Sequence, residues 1–262
     1  LAASYVFYSS AGIANLAYIL TTTITTWFTA IRMDKLKQLQ TDYLSRMKKE
    51  MTREERKVYK VGIKARQRKW LIACLTLNFG MLAVLKYAGY FRMDKLSFVL
   101  PLGISFYIFQ SMGYIIDVYR GTCNAESNPA RLALFISFFP QLIQGPISRF
   151  NQLKETLFAE HAFDSQKISY GLLRILWGFF KKLVIADRLF AAVSTMISNP
   201  NEYQGVYILV VMFFYAIELY ADFTGGIDIA IGTAQLLGIE LTENFNRPYF
   251  SKSITEYWRR WH

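Results

Sequence analysis

Only two cysteines, Cys74 and Cys123, occur in the chain. One lies in an apolar run and the other in a polar loop. They suggest no disulfide framework and no metal motif, and read as small packing residues. Histidine is equally scarce, with His161 and His262 alone. There is no Gly-x-Ser-x-Gly elbow, no Walker loop, no His-Glu-x-x-His pair and no dinucleotide fingerprint. A soluble-type hydrolase, ATPase or metalloprotease is therefore unsupported. No internal repeat or low-complexity tract occurs, and no region has the ten-residue alternation of an outer-membrane barrel. The chain does not open on methionine. Its start, LAASYVFYSS, lacks the charged leader of a signal peptide, so the chain is expected to be cut at both ends.

Apolar residues are abundant instead. The 262 residues are 53% hydrophobic and 16% aromatic, yet carry a net charge of +11. The charge is not spread evenly. Between Arg32 and Lys69 stand fourteen Lys/Arg and five Asp/Glu, a net of +9, flanked by long apolar runs. A nucleic-acid binder would carry its basic surface more widely. A basic segment between apolar runs is the positive-inside pattern of a polytopic membrane protein.

Residues 5–31 are free of charge and long enough to cross about 30 Å of hydrocarbon. The TTTITT run is tolerable there, because hydroxyls can bond back to the preceding turn. In the basic segment, 32–69, Leu36, Leu39, Tyr43, Met47 and Met51 recur at helical spacing. Thr52 and Glu55 form a capping box that opens a second helix. The segment reads either as an amphipathic helical pair on the cytoplasmic surface, basic side toward anionic headgroups, or as an ordinary solvated loop. A second span covers 70–91, with Trp70 and Tyr90 at its ends and Lys86 placed to snorkel. A third covers 98–116, interrupted by Pro101 and Gly103 and carrying Gln110. Residues 131–147 are apolar but broken at Pro140 and at Gln144-Gly145-Pro146. The stretch 168–197 is dotted with Arg174, Lys181, Lys182, Asp187 and Arg188, and fits two shorter helices, one partly interfacial. Residues 205–221 form a clear span, and 227–239 resume after Gly225-Gly226. The expectation is an all-α polytopic membrane protein, a single domain over 1–262, with five to seven embedded segments.

Three clusters could carry chemistry. Glu218 and Asp222 lie four apart on one helix face, and Asp228 follows Gly225-Gly226, where the helix could bend and bring backbone close to something. Charges inside a span face a cavity or a partner. These acids either line a functional cavity or pair with Arg174, Lys181 or Arg188. Gln141 and Gln144 flank a broken turn, which is either re-entrant around a pore or a packing break. In NFNRPYFSKSITEYWRRWH, Asn246-Arg247-Pro248 marks a turn. Ser253 and Glu256 form a second capping box. Ile254 and Trp258 are four apart, as are Tyr257 and Trp261, so aromatic contacts can stack along the turns of a helix. Lys252, Arg259 and Arg260 suit a membrane interface or an anionic ligand. His262 has a reference pKa near neutrality. On spacing alone it reads as a core or interface residue; His161 lies in a polar loop.

LPLGISFYIFQSMGYIIDVYRG, FFPQLIQGPISRF, YADFTGGIDIAIG and FNRPYFSKSITEYWRRWH follow one another at sensible intervals. Together they resemble the membrane-bound O-acyltransferase family, in its alginate O-acetylase branch. The resemblance runs over essentially the whole chain. It implies a helical bundle with a funnel and a central tunnel. An activated donor such as acetyl-CoA or an acyl-carrier thioester would arrive from the cytoplasm, with no bound cofactor and no metal. The acceptor hydroxyl would belong to a polysaccharide or partner protein outside. The motif Trp258–His262 makes His262 the candidate catalytic residue. Tyr220, Asp222, Asp228, Gln141, Gln144, Asn246, Trp258, Arg259 and Trp261 become candidates for lining the tunnel. The family's second histidine lies on a later helix that nothing here matches, so this chain alone is expected to be inactive.

The implied partners are the lipid bilayer, a polysaccharide acceptor, and an extracytoplasmic acetyltransferase or a cytoplasmic acyl carrier, and the implied location is the bacterial cytoplasmic membrane. Nucleic acid is not among them. D-alanyl transfer to teichoic acid is the rival within enzymes. A transporter or flippase would also place acids and broken helices in the membrane, although it should show an internal duplication. A non-catalytic membrane scaffold is the third reading.

Overall fold

Thr52 and Glu55 close the capping box expected of them. The Thr52 N–H donates to Glu55 Oε2 at 2.8 Å, and the Glu55 N–H donates to Thr52 Oγ1 at 3.3 Å. The helix they open runs uninterrupted from Arg53 to Tyr87. The computed structural model describes residues 1–47, 50–87 and 101–261. Tyr90, the end of the expected second span, the start of the third and His262 lie outside the described residues. Within them every regular element is a helix. The chain divides into two units, 1–143 with 149–154, and 144–148 with 155–262.

The first unit begins with α1 (Ala2–Ser10), a turn at Gly12 and α2 (Leu16–Arg46). The single span expected over 5–31 is therefore broken near its start. The threonine run behaves as its chemistry requires: Thr21, Thr23 and Thr25 donate to the carbonyls of Ala17, Ile19 and Thr21. Across from α2 lies α3 (Arg53–Tyr87). Polar side chains join the two. Gln67 Nε2 donates to the Met33 carbonyl at 2.8 Å, and Asn78 Nδ2 to Thr25 Oγ1 at 3.2 Å. Such bonds are effective glue where no water competes. At 31 and 35 residues, α2 and α3 are about 46 and 52 Å long at 1.5 Å per residue. The basic segment is thus built into the extensions of these two long helices. It does not form two separate helices of its own.

Gly103 has φ 65°, and a Cβ there would collide with the Leu142 carbonyl; it precedes α4 (Ile104–Arg120). Asn128 caps α5 (Pro129–Ser137), with Pro129 at the first helical position, where its missing N–H costs nothing. Pro140 sits in the single turn α6 (Phe139–Leu142), so the break expected in this region is present. Tyr114, Phe135 and Phe150 meet at the core of the unit, Phe135 and Phe150 edge to face and Tyr114 tilted against both, with Phe150 opening α7 (Phe150–Leu157).

The second unit centres on two long antiparallel helical paths. The first starts at α8 (Ser165–Phe179), capped by Asp164, which accepts from the N–H groups of Gln166 and Lys167. It continues through a π-helical segment, Phe180–Ala186, into α9 (Asp187–Ser198). The two helices expected here are therefore joined by a π segment and not by a loop. The second path is α10 (Val206–Leu236), one unbroken helix. It is continuous through Gly225 and Gly226. Gly225 and Gly232 face Gly178 and Gly171. A Cβ at Gly178 would stand 2.6 Å from the Gly225 carbonyl oxygen, and one at Gly232 would stand 2.7 Å from that of Gly171. Backbone meets backbone at both points, as membrane helices do where small residues allow. After α10 come a short 3-10 turn, Pro248–Phe250, and α11 (Ile254–Arg260).

Among the described residues, two helices are long and apolar enough to cross a bilayer, α3 and α10. Their most apolar windows have mean hydropathy 1.5 and 1.8. Only 28% and 6% of those windows is buried. A core helix of a soluble protein would hide such a face; these turn it outward, as a lipid-facing helix must.

Candidate active site

α11 has only seven residues, too few to hold its shape alone. Its start is fixed by chemistry legible in the sequence. The Glu256 N–H donates to Ser253 Oγ at 3.1 Å, and Glu256 Oε2 accepts from the Lys252 N–H at 2.8 Å. That backbone bond, helped by the Arg260 guanidinium 2.6 Å away, holds the Glu256 carboxyl below its ordinary range.

The other end of α11 is held by tertiary contacts. Trp261 stacks on Tyr257 with ring centroids 5.6 Å apart and planes 20° off parallel. Phe245 meets Trp261 edge-on at 5.0 Å, Tyr220 of α10 lies at 6.0 Å, and Tyr249 at 6.1 Å. Tilted and edge-on arrangements at these separations are the favourable ones for aromatic pairs. The Asn246 N–H donates to the Arg260 carbonyl at 2.9 Å. Tyr249 donates its hydroxyl to the Ala216 carbonyl at 2.7 Å, tying the 3-10 turn to α10. Burial raises the Tyr249 phenol above its ordinary range, so it stays a donor at any pH of interest. Arg247 takes a left-handed conformation, φ 46°, the only non-glycine among the described residues to do so. The proline after it disfavours the helical region, as expected.

About two helical turns along α10 from Tyr220 stands an ionic cluster. Asp228 accepts from Arg174 Nε at 3.0 Å and pairs with Lys181 of the π segment. Arg174 reaches on to Glu243 through two bonds of 2.6 and 2.7 Å, a fork-to-fork pair. Two cations and two anions cancel. Lys182 pairs with Asp222. Consecutive lysines in the π segment therefore take acids six residues apart on α10, about 9 Å along its axis. Of the partners foreseen for these acids, Arg174 and Lys181 serve and Arg188 makes none of these pairs. Beside the cluster lies a cavity of about 540 Å³, lined among others by Lys167, Tyr170, Arg174, Gln235, Glu240 and Glu243.

Not all candidate residues meet. Tyr220 and Trp261 touch, and Asn246 clamps α11 through its backbone. Asp222 and Asp228 are engaged in ion pairs. Gln144 packs its amide over Gly226. Gln141 belongs to the first unit, buried, with its Oε1 accepting from Gln110 Nε2 at 3.3 Å. Trp258 and Arg259 are exposed on α11. His161 turns one ring nitrogen to the Thr156 carbonyl at 2.6 Å, a local contact. Sequence reasoning missed Phe245, Tyr249 and Glu243. Glu243 could have been suspected from an unbalanced cation on α8, but no spacing links Tyr249 to Ala216, 33 residues away. No group of three or more His, Cys, Asp or Glu side chains is arranged for a metal among the described residues.

The chain is similar to several bacterial proteins. It is 38% identical over 222 residues to a probable alginate O-acetylase of Pseudomonas putida, covering 79% of this chain and 45% of that protein. It is 30% identical over 242 residues to a peptidoglycan O-acetyltransferase of Helicobacter pylori, covering 79% and 46%. It is 32% identical over 165 residues to a teichoic acid D-alanyltransferase of Bacillus subtilis, covering 62% and 41%. The chain thus spans less than half the length of these relatives. The family model for membrane-bound O-acyltransferases matches residues 2–262, and the chain belongs to that family.

Proposed function

We propose that this chain is part of a bacterial enzyme that acetylates a cell-envelope polysaccharide across the cytoplasmic membrane. The observation that carries the reading is the family match over residues 2–262, with Trp258–His262 inside it. In this reading five to seven segments are embedded and the basic segment 32–69 faces the cytoplasm. The donor is a thioester, acetyl-CoA or an acyl carrier, used as substrate. The acceptor hydroxyl comes from the polysaccharide or from an extracytoplasmic acetyltransferase partner.

The chemistry asks one thing that a thioester does not already supply. A sugar hydroxyl must lose its proton as its oxygen attacks the thioester carbonyl. His262 accepts that proton; the C–S bond then breaks and the departing sulfur takes the proton back. General-base help of this kind contributes about 10²–10⁴-fold. Tyr220, Asp222, Asp228, Asn246, Trp258, Arg259, Trp261 and Gln144 shape the passage and keep water from the donor. In the full-length enzyme, His262→Ala is expected to abolish polymer acetylation while the protein still inserts. Normal acetyl content in that variant rejects the role. The similarity to a D-alanyltransferase supports a second reading, alanyl transfer to teichoic acid. Mass spectrometry of the modified polymer separates the two esters.

A further inference from the structure

The paired helices of the second unit leave a hollow at one end. At 31 residues α10 is about 46 Å long, close to the thickness of a bilayer with its headgroup layers. Where it ends, at Leu236, and where α8 begins, at Ser165, lie two cavities of about 760 and 540 Å³ that share Lys167, Gln235 and Gly238. Tyr170, Leu173 and Leu176 of α8 are 63, 61 and 64% exposed, the outward apolar face of a helix in lipid. The hollow therefore opens at the depth of the headgroups.

Its lining has two characters. Ile231, Ile239 and Leu241 are buried and give it an apolar floor. Lys167 Nζ stands 3.9 Å from Glu240 Oε1, too far for a hydrogen bond, and both side chains are more than half exposed. Gln235 lines both cavities, and its side-chain oxygen is buried without a hydrogen-bond partner among the described residues. A cation and an anion left unbonded, beside an acceptor that lacks a donor, call for a ligand with both signs of charge and N–H groups. A neutral sugar would leave both charges unanswered.

We propose that this hollow binds a zwitterionic amine–phosphate group, the headgroup of phosphatidylethanolamine. The ammonium donates to Glu240 and Gln235, the phosphate oxygens accept from Lys167, and the acyl chains leave over Tyr170 and the α8 leucines. A choline headgroup has no N–H to donate, and a glycerol headgroup has no positive charge for Glu240.

The test uses the full-length protein in detergent, titrated with phosphatidylethanolamine, phosphatidylcholine or phosphatidylglycerol, with bound lipid counted by native mass spectrometry. One phosphatidylethanolamine is expected to bind about tenfold more tightly than either of the others. The double variant Lys167→Gln with Glu240→Gln is expected to bring the three lipids within about twofold of one another. Gln235→Met keeps the side-chain size and should reduce the preference about fivefold. Equal affinities in the wild type overturn the proposal. So does a preference that the variants retain, which would place the lipid elsewhere. Should the double variant fail to fold, the Gln235→Met ratio decides alone. O-phosphoethanolamine carries the same charges without chains. Weaker binding than the lipid's upholds a membrane ligand; binding as tight overturns it in favour of a soluble phosphoamine.

Discussion

Gly171, Gly178, Gly225 and Gly232 let two backbones touch. A methyl at Gly232 would stand 2.7 Å from a carbonyl oxygen and 3.0 Å from the Ile175 backbone nitrogen, neither of which can swing aside. Gly232→Ala is therefore expected to cost about 1–3 kcal/mol, the usual range for overpacking. Gly80 on α3 has nothing within 4 Å of where its Cβ would be. There the same change should gain about 0.5–1 kcal/mol through helix propensity. Denaturant unfolding in mixed micelles reads both, and equal effects would show that the glycine contacts are not tight.

Ser253 and Glu256 are the other single residues with a sharp expectation. Ser253→Ala removes a cap worth about 1 kcal/mol and should speed amide exchange in α11 roughly fivefold at pH 7. Glu256 titrates below its ordinary value in the folded chain, so its stabilisation is present above the unfolded value, about 4.3, and is lost as pH falls through the folded one. Exchange in α11, corrected for its intrinsic pH dependence, should rise as the solution is acidified through that window. Glu256→Gln should flatten the rise.

Among the elements, α11 shows what could be read early. Its cap, its start and its aromatic spacing follow from local chemistry, and all are present. Its docking onto Tyr220 and Tyr249 was not legible, because those partners are brought close only by the return of the chain after α10. On α10 the vicinal glycines were legible as a place of close backbone approach, and Gly225 does meet the Gly178 backbone while the helix stays continuous; which neighbour it meets was not legible. The π segment was likewise hidden. Nothing in FKKLVIA announces a wider turn, yet it lets Lys181 and Lys182 meet two acids. The acids themselves were legible as costly charges, and Asp228 proves to be the central one. Its side chain is 14% exposed, with Lys181 at 12% and Arg174 at 22%. Asp228→Asn leaves two cations against one acid and should destabilise by about 3–5 kcal/mol. Glu243, 61% exposed, should cost only about 1 kcal/mol when changed to Gln. Thermal unfolding of the two variants in lipid separates them; equal losses would mean that the cluster is solvated.

For the whole chain, the decisive feature is where charge sits along long helices. From Arg56 to Lys69 there are seven Lys/Arg and no acid, all on the half of α3 that precedes its apolar window. Positive charge beside a span keeps that end in the cytoplasm. Protease added to the cytoplasmic face of sealed vesicles is expected to cut at Arg46 or Arg53, between α2 and α3. Protease on the outer face is expected to leave both intact. Cleavage from outside alone would invert the topology and put the basic segment on the acceptor side.

By itself the sequence determined the helical class, the capped helix starts at Arg53 and Ile254, the break at Pro140, and the family to which the four ordered motifs point. Those properties depend on residues a few positions apart, or on composition, and need no knowledge of the fold. Only the tertiary structure decided that Gly225 meets Gly178, that Asp228 answers two cations at once, and that Tyr249 closes onto Ala216. Each of these depends on groups far apart in the chain whose contact is set by how helices pack. Packing is governed by shape over many side chains at once, which no local spacing records.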